Sequence, residues 1–258
     1  MQQSSAVTRH AIAVSYLASL FAGATLFDID WNLIAEGWFW AAALEGICFY
    51  IVFRMIALTT EHAGIAATSI ATKMSVVIPT LIGIFALGET VNFLKATGLF
   101  FGALSVFLIV GWRFRVSNWA LPLLVFLCTG LIDASFKLFQ VWGLSASQFP
   151  GFIVTIFGFA FIASATHHML LPDKRINHVS VLSGMALGLA NLGTVYFMLK
   201  ALAQPEWESS IIYPLNNVGV VLLSTVVAVV IFKERLLPST ISSLMCATVS
   251  IALLYAAR

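Results

Sequence analysis

The chain has 258 residues, of which 60% are hydrophobic and only 9% charged, with a formal net charge of +2. Ordinary globular domains carry about 25% charged residues, so this composition excludes a soluble enzyme or binding domain and predicts a polytopic membrane protein. The small charge and the lack of a polybasic run exclude nucleic acid as a partner.

Apolar runs predict nine spans, at 10–26, 37–58, 63–87, 92–112, 119–141, 150–171, 179–203, 209–231 and 239–257. The expected fold class is all-α, a helix bundle. Backbone polar groups must be satisfied within a segment in lipid, and these runs are too long and too uniformly apolar for barrel strands. The first run could pass for a signal peptide, but Arg9 alone makes a weak basic start, so it is read as a mature span. Turn chemistry separates the runs at Asp28-Ile29-Asp30, Gly88-Glu89-Thr90, Pro172-Asp173-Lys174, Gln204-Pro205-Glu206 and Pro238. Trp31, Trp38, Trp112, Trp119, Trp142 and Trp207 fall near span ends, where an interfacial belt belongs. Cys48, Cys128 and Cys246 lie inside spans without metal-ligand spacing and read as packing residues.

The third span is the informative one. A run from Ala63 to Glu89, at about 1.5 Å per residue, crosses a hydrocarbon core of roughly 30 Å and sets Lys73 near its midplane. A lysine facing lipid there costs about 2.5–3.5 kcal/mol, so Lys73 is expected to face a solute pathway or a counter-ion.

Sliding the chain on itself by 144 residues reveals an internal repeat. Ala57-Leu58 falls on Ala201-Leu202, Val76-Val77 on Val220-Val221 and Thr80 on Ser224; one further residue brings Glu89 onto Glu234. Matched spans are five helices apart, an odd number, so the copies are expected to run in opposite directions as an inverted repeat. Residues 1–116 form the first repeat and 117–258 the second, within one membrane domain. The equivalent of span five would precede Met1, which leaves four helices in the first repeat and five in the second. Arg9, Arg54, Arg113, Arg115, Lys174, Arg175, Lys233 and Arg235 gather on one side and Lys95, Lys200 and Arg258 on the other. Positive-inside counting therefore puts the amino terminus in the cytoplasm and the carboxyl terminus outside.

His62 to Val110 contains a small-residue helix start, Ala63-Gly64-Ile65-Ala66-Ala67, a central Pro79, and Gly88-Glu89-Thr90 leading into Ala96-Thr97-Gly98-Leu99-Phe100-Phe101-Gly102-Ala103. The pattern recurs from Glu208 to Tyr255 around Phe232-Lys233-Glu234-Arg235. These residues resemble the drug/metabolite transporter superfamily with its EamA-like repeat. The resemblance implies a ten-helix secondary carrier of two five-helix repeats, moving amino acids, metabolites, sugars derived from them, or drugs. This chain departs from it in lacking the first helix.

Buried polar residues carry the expected chemistry. Glu45, Lys73, Asp133 and Lys137 balance in charge, as pairing away from lipid requires, and read either as a proton or ion-pair relay or as fixed pairs that select the helix arrangement. Asp133 and Lys137, at i and i+4, can satisfy one another. Under the 144-residue offset, Ser69, Lys73 and Thr80 superpose on Tyr213, Asn217 and Ser224, and each set shares a helix face. Facing each other across a central cavity, they would suit a carboxylate or zwitterion; the competing reading of Asn217 and Ser224 is interhelical hydrogen bonding. Gly184 and Gly188, with Asn191 a turn on, read as a helix-packing face. His167-His168, Asp173 and His178 fit no metal-ligand spacing and read as interfacial.

The expected function is a secondary transporter working by alternating access in a cell membrane of the bacterial inner-membrane type. It needs no cofactor or metal, takes a small-molecule substrate and the lipid bilayer as partners, and fits a monomer or a homodimer. The alternative is a non-transporting assembly subunit or a membrane-embedded enzyme. No nucleophile and base constellation and no phosphate-binding glycine loop supports the enzyme.

Overall fold

The computed structural model describes residues 2–110, 120–170, 178–230, 233 and 238–257. The nine α-helices of the described residues are α1 (Gln2–Leu26), α2 (Phe39–Met74), α3 (Val77–Ala86), α4 (Phe93–Val110), α5 (Ala120–Val141), α6 (Phe149–Met169), α7 (His178–Leu202), α8 (Ser209–Val230) and α9 (Pro238–Ala256). Short 3₁₀ turns at Leu33–Ala35 and Ala146–Gln148 lead into α2 and α6, and the described residues form no strand. Trp112, Trp119, Arg113, Arg115, Asp173, Lys174, Arg175, Glu234, Arg235 and Arg258 lie outside the described residues, as does the expected boundary between repeats at 116 and 117.

Six stretches of the described residues are long and apolar enough to cross a membrane: Phe39–Ile65, Ala67–Ala86, Ala120–Val141, Ala146–Met169, His178–Leu202 and Ser209–Val227. The other three expected spans correspond to shorter apolar helices, His10–Leu26, Phe93–Leu108 and Ile241–Ala256. At about 1.5 Å per residue these reach roughly 24–26 Å, short of a core of about 30 Å. Phe21, Phe85, Leu182 and Leu223 stand more than two-thirds exposed, a surface suited to hydrocarbon and unusual in water.

The expected connector at 59–62 is helical. Thr59-Thr60-Glu61-His62 contains neither glycine nor proline, and His62 Nδ1 bonds the Leu58 carbonyl at 2.8 Å, so the helix runs on. The discontinuity comes at Gly64, whose φ of 87° and ψ of 162° lie where glycine alone is comfortable. A second break, at Ser75–Val76, divides the third expected span into the end of α2 and a separate α3. Pro79 explains it. Its missing N–H withdraws the donor that the Ser75 carbonyl would meet in a continuous helix, and that carbonyl accepts the Ile78 N–H at 2.9 Å instead.

The helices cluster into two compact units that cut across the sequence halves, Met1–Ala57 with Phe136–Ala203, and Leu58–Ser135 with Gln204–Arg258. In the first unit α1 packs on α6 and α7. Tyr16, Phe149, Phe152, Ile153, Ile156 and Phe157 fill its interior, and the Tyr16 hydroxyl donates to the Phe49 carbonyl at 3.1 Å. Gly184 and Gly188 lie on the α1 contact. A Cβ on Gly184 would stand 2.7 Å from the Ala11 carbonyl oxygen, and one on Gly188 would strike the Ser15 carbonyl. The closeness lets the Ser19 hydroxyl donate to the Gly188 carbonyl at 2.8 Å. Asn191, half-buried, makes no side-chain hydrogen bond among the described residues.

Backbone cannot retreat as a flexible side chain can, so Gly188→Ala is expected to destabilise the unit by about 1–3 kcal/mol. Gly193 on the same helix has only the Phe197 ring edge at 4.0 Å from its virtual Cβ. Gly193→Ala should therefore be neutral or gain about 0.5–1 kcal/mol from helix propensity. Equilibrium unfolding of the two variants in detergent separates close packing from propensity.

In the second unit α4 packs against α9, α8 against both, and α3 against α8. Ser243 Oγ donates to the Ser105 carbonyl and Ser250 Oγ to the Gly98 carbonyl, each at 2.7 Å.

Candidate functional site

The polar centre of the second unit forms at the break between α2 and α3. Ending a helix at Met74 frees carbonyls that would otherwise accept N–H groups a turn ahead. Asn217 of α8 takes one of them, its Nδ2 donating to the Lys73 carbonyl oxygen at 2.8 Å. Lys73 itself lies in the last turn of α2, half-buried, where a cation interacts favourably with the negative end of the helix dipole. Asp133 of α5 lies within electrostatic reach of it. One turn before Asn217, the buried Tyr213 hydroxyl donates to the Asp133 carbonyl. Gly130 lets α5 come this close, since a Cβ there would stand 2.7 Å from both the Ser75 carbonyl oxygen and the Ile78 Cβ.

Lys73, Asp133, Tyr213 and Asn217 are thus assembled around one broken helix. Beside them a cavity of about 210 Å³ is lined by Met74, Thr80, Leu99, Gly102, Pro214 and Asn217 among others. Its walls are mostly apolar, with the Thr80 hydroxyl and the Asn217 amide as polar groups. The Thr80 hydroxyl is turned to its own helix, donating to the Val76 carbonyl at 2.8 Å.

The sequence predicts a symmetric cavity faced by six residues, and this cavity takes in part of that set. Of the six, Thr80 and Asn217 line the cavity, whereas Ser69, Lys73, Tyr213 and Ser224 do not. Ser224 shares a helix face with Asn217 by spacing, but two turns on that face is exposed, and its hydroxyl donates to the Val221 carbonyl at 3.0 Å. Ser69, half-buried on α2, lends its own carbonyl to the Thr72 hydroxyl at 3.2 Å. A shared face brings residues together only where a partner helix covers it.

Glu45 and Lys137 belong to the first unit. Glu45 is half-buried on α2. Lys137 does not spend its ammonium on Asp133 in the expected i, i+4 pair; it donates to the Leu202 carbonyl at 3.0 Å, and Gln140 Nε2 donates to the Leu199 carbonyl at 2.8 Å. Together they cap the carboxyl end of α7, whose last carbonyls lack intrahelical partners. His167 bonds the Tyr50 hydroxyl, and His168 meets His10 edge-on with ring centroids 4.6 Å apart. Among the described residues no group of three or more His, Cys, Asp or Glu side chains could hold a metal ion.

Comparison with known proteins adds little chemistry. No family model matches the chain. An uncharacterized protein of Haemophilus influenzae is 27% identical over 199 residues, a match covering 74% of this chain and 66% of that protein, just under two thirds of its length. A protein of known crystal structure superposes with a TM-score of 0.70 over 98% of this chain and 88% of its own, at 15% identity. At that identity the likeness is one of fold.

A second polar cluster in the same unit has little signature in the sequence. The Glu89 carboxylate sits on the amino end of α8, accepting from the Ser209 and Ser210 N–H groups at 2.7 Å each and from both serine hydroxyls. Beside it Lys95, 1% exposed, donates to the Thr90 carbonyl at 2.7 Å and pairs with Glu208. Burial alone would raise the Glu208 pKa; the hydrogen bond from Lys95, with the Thr90 donors and the Lys95 charge, outweighs that and holds its carboxyl below the usual glutamate range. By sequence Glu89 is visible as a loop residue that the repeat aligns with Glu234, and Lys95 as one charge in an orientation count; neither is marked as part of a polar cluster. The signal that could have found them is Glu208 standing directly before a Ser-Ser helix start.

Proposed function

We propose that this protein is a secondary transporter of the drug/metabolite type, which moves a small carboxylate-bearing or zwitterionic metabolite across a bacterial-type inner membrane by alternating access. The observation that carries the reading is the helix broken after Met74, with the freed Lys73 carbonyl held by Asn217. Discontinuous helices whose exposed ends meet polar side chains at mid-membrane are the usual substrate and ion sites of secondary carriers. In this reading the substrate carboxylate competes with Asp133 for the Lys73 ammonium. The apolar cavity beside Asn217 accommodates the remainder of the solute.

The inverted repeat belongs to the same proposal, and two hydrogen bonds support it. With the 145-residue offset that aligns Glu89 with Glu234, Gly98 corresponds to Ser243 and Ser105 to Ser250. Exchanging the copies turns the Ser243–Ser105 contact into the Ser250–Gly98 contact, and both hydrogen bonds are present. Two copies related by a two-fold axis produce such reciprocal pairs. The contacts of α1 with α6, α3 with α8 and α4 with α9 likewise join elements one offset apart.

Uptake and counterflow in proteoliposomes, against a panel of amino acids and other small metabolites, tests the proposal. For a transported solute, Lys73→Ala is expected to lower uptake at least tenfold while the protein still reconstitutes as a folded bundle. Undiminished uptake by that variant would remove Lys73 from the mechanism.

A further inference from the structure

The first unit holds a second cavity, of about 260 Å³, where α2 begins and α5 ends. Both walls are set by local backbone chemistry. At the end of α5 the Leu144 N–H donates to the Phe139 carbonyl at 3.0 Å and the Gly143 N–H to the Gln140 carbonyl at 3.2 Å. Gly143, with φ +109°, supplies the conformation this helix stop requires. The turn buries Phe139 and Leu144 and leaves Trp142 projecting, 75% exposed. On the other wall the 3₁₀ turn ends at Glu36, and Gly151 makes room for the side chains on either side of it. A Cβ on Gly151 would lie 2.7 Å from Leu33 and 3.5 Å from the Trp38 ring.

The lining is aromatic and acidic. Trp38 crosses Phe152 edge-on at 5.7 Å, and Phe139 meets Trp142 at 6.4 Å with planes 81° apart. The Glu36 carboxylate is steadied by Gln148 Nε2, which donates to its Oε2 at 2.7 Å, while the Ser145 N–H holds the other end of the Gln148 amide at 3.0 Å. Among the described residues no cation meets Glu36. The segments that build the pocket, 27–41 and 138–148, contain Asp28, Asp30 and Glu36 but no lysine or arginine. The basic residues at this end of the unit are engaged elsewhere, Lys137 on the Leu202 carbonyl and Lys200 over the Tyr196 ring at 4.7 Å.

We propose that this pocket is a binding site for a small organic cation, a protonated amine or quaternary ammonium group, with Glu36 as counter-charge and Trp38, Phe139 and Trp142 supplying aromatic faces. A carboxylate beside aromatic rings recognises a diffuse positive charge, since the ring quadrupole attracts a cation that metal-like coordination would not suit. One carboxylate is too few oxygens for a divalent metal. A neutral apolar ligand would bury Glu36 without compensation. The volume lies below the roughly 300–1,000 Å³ of drug-sized sites, which points to a metabolite-sized ligand. The pocket lies within the first unit alone, and its chemistry does not depend on the transport reading.

Calorimetric titration of the full chain in detergent, with tryptophan fluorescence in parallel, tests it. The probes are choline, tetramethylammonium, and the uncharged carbon analogue of choline in which a tert-butyl group replaces the trimethylammonium. Saturable binding of both cations and none of the neutral analogue is expected. Glu36→Gln and Trp142→Leu should each weaken choline binding about tenfold, the scale of a lost counter-charge or cation–π contact. Trp142 is exposed, so Trp142→Leu keeps its fold and decides the matter should Glu36→Gln fail to fold. Equal binding of choline and its neutral analogue, unchanged affinity in Trp142→Leu, or no choline binding by the parent chain would each overturn the proposal.

Discussion

Glu89→Ala is expected to destabilise the second unit by about 3–5 kcal/mol, one of the two largest single-residue effects anticipated in the molecule. Hydrogen bonds to a charged group contribute about 1.5–3 kcal/mol each, and Glu89 accepts four from Ser209 and Ser210. They share one carboxylate, so their contributions do not add in full. Two of the four satisfy the first N–H groups of α8, which have no partner within the helix. The negative charge also sits favourably at the positive end of the helix dipole. Both serines are buried, at 1% and 0% exposure, so water does not replace the lost acceptor. Glu89→Gln keeps the shape but turns a donor toward donors, and should recover less than half of the loss. Gly83→Ala attacks the same contact from behind, since its Cβ would stand 2.7 Å from Glu89 Oε2 and from Ser209 Oγ. Glu61→Ala, at an exposed site, should change stability by less than about 0.5 kcal/mol. Reversible unfolding in detergent, followed by near-UV circular dichroism, measures all four.

The helices are legible in the sequence because hydrocarbon leaves the backbone no alternative, and apolar runs report their positions directly. The breaks are less so. Polarity alone suggests a connector at 59–62, yet Thr59, Thr60 and His62 are tolerated in a helix, and the chain interrupts itself only at Gly64 and ahead of Pro79. Proline acts on the carbonyl four residues earlier, so its mark falls at Ser75 and not at Pro79 itself. Burial and symmetry single out Lys73 and Asn217, and the structure joins them through the Lys73 backbone carbonyl, a contact that side-chain matching cannot anticipate. The Lys95–Glu208 pair joins residues 113 positions apart. Each alone resembles a solvated charge at a span end, and only the tertiary fold buries the lysine. Ser224 misleads for the opposite reason, since helical spacing assigns a face but not the neighbour that covers it.

That same pair yields the second large effect, and the two halves of it are unequal. Glu208→Gln leaves the Lys95 ammonium, 1% exposed, without its counter-charge, whereas Lys95→Met leaves a carboxylate that is 33% exposed and keeps its Thr90 donors. Removing one member of a fully buried pair costs about 3–5 kcal/mol; water at Glu208 screens the pair and brings the expectation for Glu208→Gln to about 2–3 kcal/mol. Lys95→Met should cost about 1–2 kcal/mol, because Glu208 turns to solvent and methionine fills the apolar path of the lysine stem. Combining the two should destabilise by less than the sum, since the second change removes the charge that the first had stranded. The pH dependence carries a matching sign. A carboxyl whose pKa is depressed on folding contributes stability that is complete above the ordinary glutamate pKa and is lost as pH falls through the lower, folded value. The parent chain should therefore lose part of its stability on the acid side, below about pH 4.5, and Glu208→Gln should flatten that limb without altering the neutral one. Unfolding in detergent across the acid range measures this. An unchanged acid limb in Glu208→Gln would assign that loss of stability to other carboxylates and leave Glu208 a surface charge.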